Sequence, residues 1–230
     1  MRLKTLFKKS KAFTHIKNSE VTKRQIAFTD FNTLEVANDI NVFVTFSESK
    51  QQIVIEANEN LQELIRVENL DNKLIIYKKK NLVVKGDETT NVYVHCKPFS
   101  KFSAANDCTL TLETELHSQK AKVKLSQDSA FKGIVNVQEF EMQFADDSKG
   151  EISGYIEYLN LKLADDSKLK NYELTVGSLD AHLSEDSTAH LTVNKTINVK
   201  ASSDSKLKYK GNAKLNAKFT SGDSSVKQVK

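Results

Sequence analysis

Leu159-Asn160-Leu161-Lys162-Leu163-Ala164-Asp165-Asp166-Ser167-Lys168-Leu169 holds the pattern that decides the fold. Apolar residues alternate with polar ones, a small residue precedes a pair of acids, a serine follows, and the alternation resumes. Alternation with a period of two is the mark of a strand with one buried face. The same passage occurs one step earlier as Phe140-Glu141-Met142-Gln143-Phe144-Ala145-Asp146-Asp147-Ser148-Lys149-Gly150. It occurs one step later as Leu179-Asp180-Ala181-His182-Leu183-Ser184-Glu185-Asp186-Ser187-Thr188-Ala189.

Working outward, Asp-Ser recurs at Asp128-Ser129, Asp147-Ser148, Asp166-Ser167, Asp186-Ser187, Asp204-Ser205 and Asp223-Ser224, with Asp107-Cys108 as a seventh copy. Successive aspartates are 21, 19, 19, 20, 18 and 19 residues apart. A step of that size and constancy means stacked structural units, each too small to bury its own apolar stripe. With the aspartate as position zero, position −5 reads Phe102, Val123, Met142, Leu161, Ala181, Val199, and position −3 reads Ala104, Leu125, Phe144, Leu163, Leu183, Ala201. Position +3 reads Leu110, Phe131, Gly150, Leu169, Ala189, Leu207. Stacked about 4.8 Å apart, these columns fill a continuous core. The expected fold is all-β: a right-handed parallel β-helix (solenoid) of about 19-residue coils, with a more irregular N-terminal portion carrying one short helix.

The corner has its own expected chemistry. Positions −2 and +1 are small, as a tight bend requires. The aspartate is expected to bond the backbone N–H two residues on, as an Asx turn. Lys149, Lys168 and Lys206 at position +2 are expected to pair with the acids and relieve the repulsion of a stacked column. In the last unit the sequence Phe219-Thr220-Ser221-Gly222-Asp223 reads as carrying an extra residue before the corner.

The chain divides by composition. Residues 1–28 hold eight basic groups against Glu20, while the remainder carries 26 basic and 29 acidic groups. We therefore expect a basic N-terminal arm at 1–27, solvated and poorly ordered over about its first 20 residues. A β-rich portion at 28–98 and the β-helix repeats at 99–230 follow. Within 28–98 the runs DINVFVTF, QQIVIEA, KLIIYKK and NVYVHCK read as strands, and NENLQELIRVEN has helical spacing at Leu61, Leu64 and Ile65. Ala37-Asn38-Asp39 echoes Ala105-Asn106-Asp107, so the coils can begin this early.

In their order these elements resemble the bacterial head GIN-domain family of auto-transporter adhesins. The resemblance rests on Phe31-Asn32-Thr33-Leu34-Glu35-Val36, Asp39-Ile40-Asn41-Val42, Glu56-Ala57-Asn58-Glu59-Asn60-Leu61, Lys73-Leu74-Ile75-Ile76-Tyr77 and the repeated corner, and covers residues 29–230. It implies the β-helix, and a place in the envelope or outside the cell of Bacteroidetes-like bacteria. It implies no catalytic residues. The family's corner glycine is replaced here by Gln127, Asp146, Asp165, Glu185 or Ser203. Where that glycine takes a positive φ the replacements are strained, so a differently shaped corner is one expectation.

No residue set announces an enzyme or a cofactor. The paired acids Asp146/Asp147, Asp165/Asp166 and Glu185/Asp186 recur in every middle unit, whereas a catalytic pair needs one site with one shifted pKa. Gly222-Asp223-Ser224 is the last copy of the repeat rather than a nucleophile motif. The histidines show no ligand spacing, no metal site is expected, and Cys96 and Cys108 are read as buried thiols in preference to a disulfide. The acidic ridge of Asp128, Asp146, Asp147, Asp165, Asp166, Glu185, Asp186 and Asp204 is first a set of turn residues, then a cation site, then a ligand-binding ridge. Tyr155, Tyr158 and Tyr172 form the best aromatic cluster for stacking sugars. The start MRLKTLFKKSKAF lacks the apolar run of a signal peptide, which leaves a cytoplasmic place open. The leading reading is a non-enzymatic envelope or surface module for binding or adhesion, with a polysaccharide or another surface protein as partner and no nucleic acid. The alternatives are a carbohydrate-active lyase or hydrolase on the same scaffold, and a structural solenoid that self-associates through its ends.

Overall fold

A computed structural model of the chain describes residues 14–17, 19–79, 82–85 and 88–230, with backbone alone for 14–17 and 82–85. In chain order the strands are β1 (Thr14–Lys17), β2 (Val21–Ile26), β3 (Thr33–Ala37), β4 (Asn41–Phe46), β5 (Gln52–Asn58), β6 (Ile65–Leu70), β7 (Lys73–Lys78), β8 (Leu82–Lys85), β9 (Thr90–Cys96) and β10 (Lys101–Ala105). They continue with β11 (Thr109–Leu112), β12 (Leu116–Ser126), β13 (Ala130–Phe144), β14 (Lys149–Leu163), β15 (Lys168–Leu183), β16 (Thr188–Ala201), β17 (Lys206–Lys210), β18 (Lys214–Thr220) and β19 (Ser225–Gln228). The helix α1 (Glu59–Gln62) is one turn long. It stops there because Ile65 begins the alternation of β6, so the helical spacing expected across NENLQELIRVEN ends sooner than expected.

From β10 onward each coil lies parallel on the one before. Met142 sits on Val123, Leu161 on Met142, Ala181 on Leu161 and Val199 on Ala181. The −3, −5 and +3 columns that are apolar in sequence are buried throughout. Large and small residues compensate within the core: a Cβ on Gly150 would meet the Phe144 ring at 2.7 Å, so that ring occupies the space the glycine leaves.

The N-terminal portion has a topology that the alternation alone does not reveal. Strands β3 and β4 form a coil directly beneath β10 and β11, and β7 and β9 form another beneath that, all parallel. The chain thus lays down the second coil of the stack first, then the first, then the third. Beneath the lowest coil, β6 and β5 turn antiparallel to β7 and β9, and β2 adds antiparallel to β5. These three strands and α1 cap the end, which would otherwise be an open sheet edge.

The basic arm expected at 1–27 falls mostly outside the described residues. Its last part is ordered: Val21–Ile26 is the outermost cap strand. It is fastened by Arg24, which donates to the Gln62 carbonyl at 2.6 Å, and by Asn58, whose amide donates to the Ser19 carbonyl at 2.8 Å.

Seven corners are closed by two consecutive residues in the left-handed region, whereas in the last one Gly222 has positive φ and Asp223 does not. Asn38/Asp39, Asn106/Asp107, Gln127/Asp128, Asp146/Asp147, Asp165/Asp166, Glu185/Asp186 and Ser203/Asp204 all have φ between 50° and 68°. With the bond from Ser167 N–H to Ala164 O at 3.2 Å, this is a turn with positive φ at both central residues. Gln127 at 55° and Glu185 at 51° take the positive φ that Gly222 takes at 61°, but only in the corners without glycine is the aspartate left-handed as well, so the expected difference in corner shape lies at the second residue. The irregularity expected before Asp223 lies earlier, between Ile197 and Asn198 of β16, where the register against β18 slips by one residue.

Leu161 is fully buried mid-column, so Leu161→Asp is expected to destabilise the protein by at least about 4 kcal/mol in denaturant unfolding, because a charge there has no partner. Lys162→Asp, one position outward, should stay within about 0.5 kcal/mol. Gln127→Gly should gain up to about 1 kcal/mol, since only the glycine takes φ of 55° without a Cβ clash.

Candidate functional site

The backbone of each corner continues the ladder of the strands. The Asp147 N–H donates to the Asp165 carbonyl at 2.8 Å and the Asp166 N–H to the Glu185 carbonyl at 2.9 Å, one coil to the next. On the far side of the bend, Lys149 N–H donates to Ser129 O and Lys168 N–H to Ser148 O, both at 2.9 Å. This overturns the expected Asx turns: the N–H two residues beyond each aspartate already has a carbonyl partner. The serine after the aspartate faces inward instead. Ser129, Ser148, Ser167, Ser187 and Ser205 are fully buried, and Ser148 Oγ donates to the Ala145 carbonyl at 2.6 Å. Ser224 uses its hydroxyl likewise, donating to Ala201 O and Ser221 O, and sits in the corner as one more copy of the repeat.

The aspartates consequently point into solvent. Asp128, Asp147, Asp166, Asp186 and Asp204 stack as one exposed column, and Asp146, Asp165 and Glu185 form a second beside it. The expected lysine pairing is absent: among the described residues Lys149, Lys168 and Lys206 enter no ion pair, whereas cross-coil pairs such as Lys122–Glu141 at 2.7 Å form elsewhere on the outer surface. The buried serine separates each +2 lysine from the acids. Within the second column the Glu185 carboxyl is raised above the ordinary carboxylate range, first by a hydrogen bond with Asp165 and then by repulsion from it. Among the described residues no three His, Cys, Asp or Glu side chains converge as a metal site.

Beside the ridge runs a groove of about 1020 Å³ that no motif in the sequence announces. Its floor is the small −2 column of Ser126, Ala145, Ala164, Ser184 and Ser202, and its wall is the −4 column. That wall carries Lys124, Lys162 and Lys200, two coils apart, none in an ion pair among the described residues, and it ends at the exposed ring of Phe219. The signal was present as the outward position −4, which the inward columns overshadowed.

The tyrosines do not form one cluster. Tyr155 and Tyr158 line a separate groove of about 780 Å³, while Tyr172 stacks on His190 with ring centroids 5.6 Å apart and Lys210 over its outer face. That stack half-buries His190, and desolvation followed by Lys170 and Lys208 lowers its pKa. Cys96 and Cys108 are free and buried, and burial pushes their thiols up to about 12 and about 11.

A carboxyl whose pKa is raised by folding adds stability below its unfolded pKa and loses it as pH rises through the folded value. Glu185→Gln should therefore raise the melting temperature at pH 7, and the gain should shrink as pH falls through the raised range of Glu185. Millimolar Ca²⁺ should leave the melting temperature of the native protein unchanged. A rise of many degrees, abolished by Asp147→Asn with Asp166→Asn, would show that the ridge holds the ion.

A family model described as "Putative auto-transporter adhesin, head GIN domain" matches residues 30–213. A solved structure described as a putative adhesin from Bacteroides fragilis NCTC 9343 superposes with a TM-score of 0.82 at 18% identity, covering 93% of this chain and 100% of that one. One described as a putative adhesin from Parabacteroides distasonis ATCC 8503 gives 0.76 at 14%, with 94% and 100% covered. A protein of the same organism described as a putative lipid binding protein gives 0.71 at 14%, with 94% and 100% covered. At such identities the likeness is one of fold. No curated protein matches the chain.

Proposed function

The chain belongs to the head GIN-domain family of auto-transporter adhesins, and from that premise we propose that it is a non-enzymatic module of the cell envelope or surface whose work is adhesion. The carrying observation is the groove beside the corner ridge. It crosses the stack of coils, its floor is small and uniform, and its three lysines without ion pairs recur at every second coil. Such a surface presents the same weak contact again and again. It suits a partner that is itself extended and repetitive, because linked weak contacts multiply into firm retention.

The reading as a carbohydrate-active enzyme has less support. The acids of the ridge recur coil after coil, and the shift at Glu185 comes from its neighbour in the same column rather than from a secluded site. Self-stacking through the C-terminal end is also disfavoured. In the last coil Lys218 lies over Val199 and Thr220 over Ala201, so polar side chains occupy the column that would have to be covered by a second copy.

Beads coated with the full chain should be retained on immobilised envelope polysaccharide or surface protein, and retention should fall as salt rises. Combined Lys124→Ala, Lys162→Ala and Lys200→Ala should weaken it several-fold without lowering the melting temperature. Release of sugar fragments in product analysis would favour the enzyme, and no retention on either class of surface would overturn the adhesion reading.

A further inference from the structure

We propose that the corner bearing Tyr155 and Tyr158 is a saccharide subsite that holds an uncharged sugar ring. The inference rests on the adhesion reading and gives it a site and a ligand class. Its starting point is a break in repetition. The column of Tyr155 reads His117, Asn136, Tyr155, Thr175, Thr192 from coil to coil, and that of Tyr158 reads Glu139, Tyr158, Ser178, Thr196. Aromatic rings enter both columns in the same coil. They remain in water, 39% and 52% exposed, and neither packs against another ring among the described residues. Two exposed rings beside one groove, rimmed by polar residues, have the character of an interaction site rather than of scattered surface residues.

Between the two tyrosines Glu157 is fixed. Lys195 donates to its Oε1 at 2.6 Å, and the Tyr155 hydroxyl donates to its Oε2. Lys195 belongs two coils further along the stack, and Gly177 occupies the coil between. A Cβ on Gly177 would meet the Glu157 carbonyl oxygen at 2.6 Å and its Oε2 at 3.0 Å. The glycine therefore opens the gap that the ion pair bridges. The carboxylate is only 19% exposed, its charge is offset by Lys195, and the same bonds hold its pKa below the ordinary range. It is thus an ionised hydrogen-bond acceptor in a locally neutral setting.

The groove beneath it is lined by His117, Asn136, Gln138, Tyr155, Glu157 and Tyr158 and has a volume of about 780 Å³. It spans three coils, about 10 Å, which is room for one or two pyranose rings. The amides of Asn136 and Gln138 have no protein partner among the described residues, and each offers donors and an acceptor. A sugar matches this set on both its surfaces. Its C–H face lies on a tyrosine ring, and its hydroxyls meet the two amides and the free lone pairs of Glu157. A uronic acid would face Glu157, and a cationic ligand would compete with Lys195, so the charge balance favours a neutral ring.

The test is a panel of immobilised neutral oligosaccharides and their uronic-acid counterparts, probed with the full chain and with Tyr158→Ala, Tyr155→Ala, Glu157→Gln and the distant, exposed Lys50→Ala. Binding of at least one neutral glycan is expected. Tyr158→Ala and Glu157→Gln should each weaken it at least about tenfold at an unchanged melting temperature, and Lys50→Ala should leave it as it was. Absence of neutral binding, a preference for the uronic acids, or full binding by Tyr158→Ala would each overturn the subsite. In any of those cases the bead-retention measurement still reports on adhesion itself, so the two ideas fail separately.

Discussion

The backbone hydrogen bond that links successive corners from Asp39 to Ser203, from the N–H of one coil's aspartate to the carbonyl before the next coil's aspartate, is the constraint on which this molecule depends. A chain that bends sharply ordinarily leaves peptide groups without partners, and a buried one so left costs about 1–3 kcal/mol. Two successive left-handed residues turn the peptide planes so that the ladder runs round the bend without a break. Every other property of the corner follows. The residues must tolerate positive φ, which favours Asp and Asn. The next residue must be small enough to be buried in the bend, and the serine hydroxyl finds a partner there at Ser129, Ser148, Ser187 and Ser205, while Ser167 Oγ has none among the described residues. The acids, having no backbone task left, are free to stand in water.

That constraint also explains what sequence reveals and what it hides. The inward columns are legible because alternation and repeat length report the same thing, and Leu161 or Phe131 could be placed without a structure. The corner's composition is equally visible, but its bonding is not. Asp147 looks like an Asx-turn former until the partner of the Lys149 N–H is known, and that partner is a residue one coil away. Pairing of the +2 lysines failed for a related reason, since the buried serine sets them on the other side of the bend. In the N-terminal portion, β3 and β10 are neighbours separated by more than sixty residues of chain. No local pattern encodes such a choice of partner, so coils and cap strands look alike in sequence. At the candidate site the tyrosines were visible as residue types, yet Glu157, Gly177 and Lys195 form one unit only after three coils are superposed.

The two ends of the stack are protected differently. At one end β6, β5 and β2 reverse direction and close the sheet, with Ile53, Ile55 and Ile65 joining the core and the outermost strand tied down by the polar contacts of Arg24 and Gln62. At the other, the last coil slips in register and places Lys218 and Thr220 over Val199 and Ala201, so two of its core columns turn polar. The first device covers the core, and the second makes continuation unrewarding. Between them the side faces remain the broad surfaces available for recognition.

The order in which the coils are laid down has a kinetic consequence. Strands β3 and β4 emerge early in synthesis, but their neighbours on both sides come later, β7 and β9 first and β10 and β11 after them. The first hundred residues must therefore be held loosely until a second and a third layer have arrived, a closure of long loops that slows nucleation. From β12 onward each new coil finds its template already formed immediately behind it, and growth becomes local and vectorial. The molecule is in this sense a slow seed followed by a fast zipper, with the rate-limiting event confined to its first half.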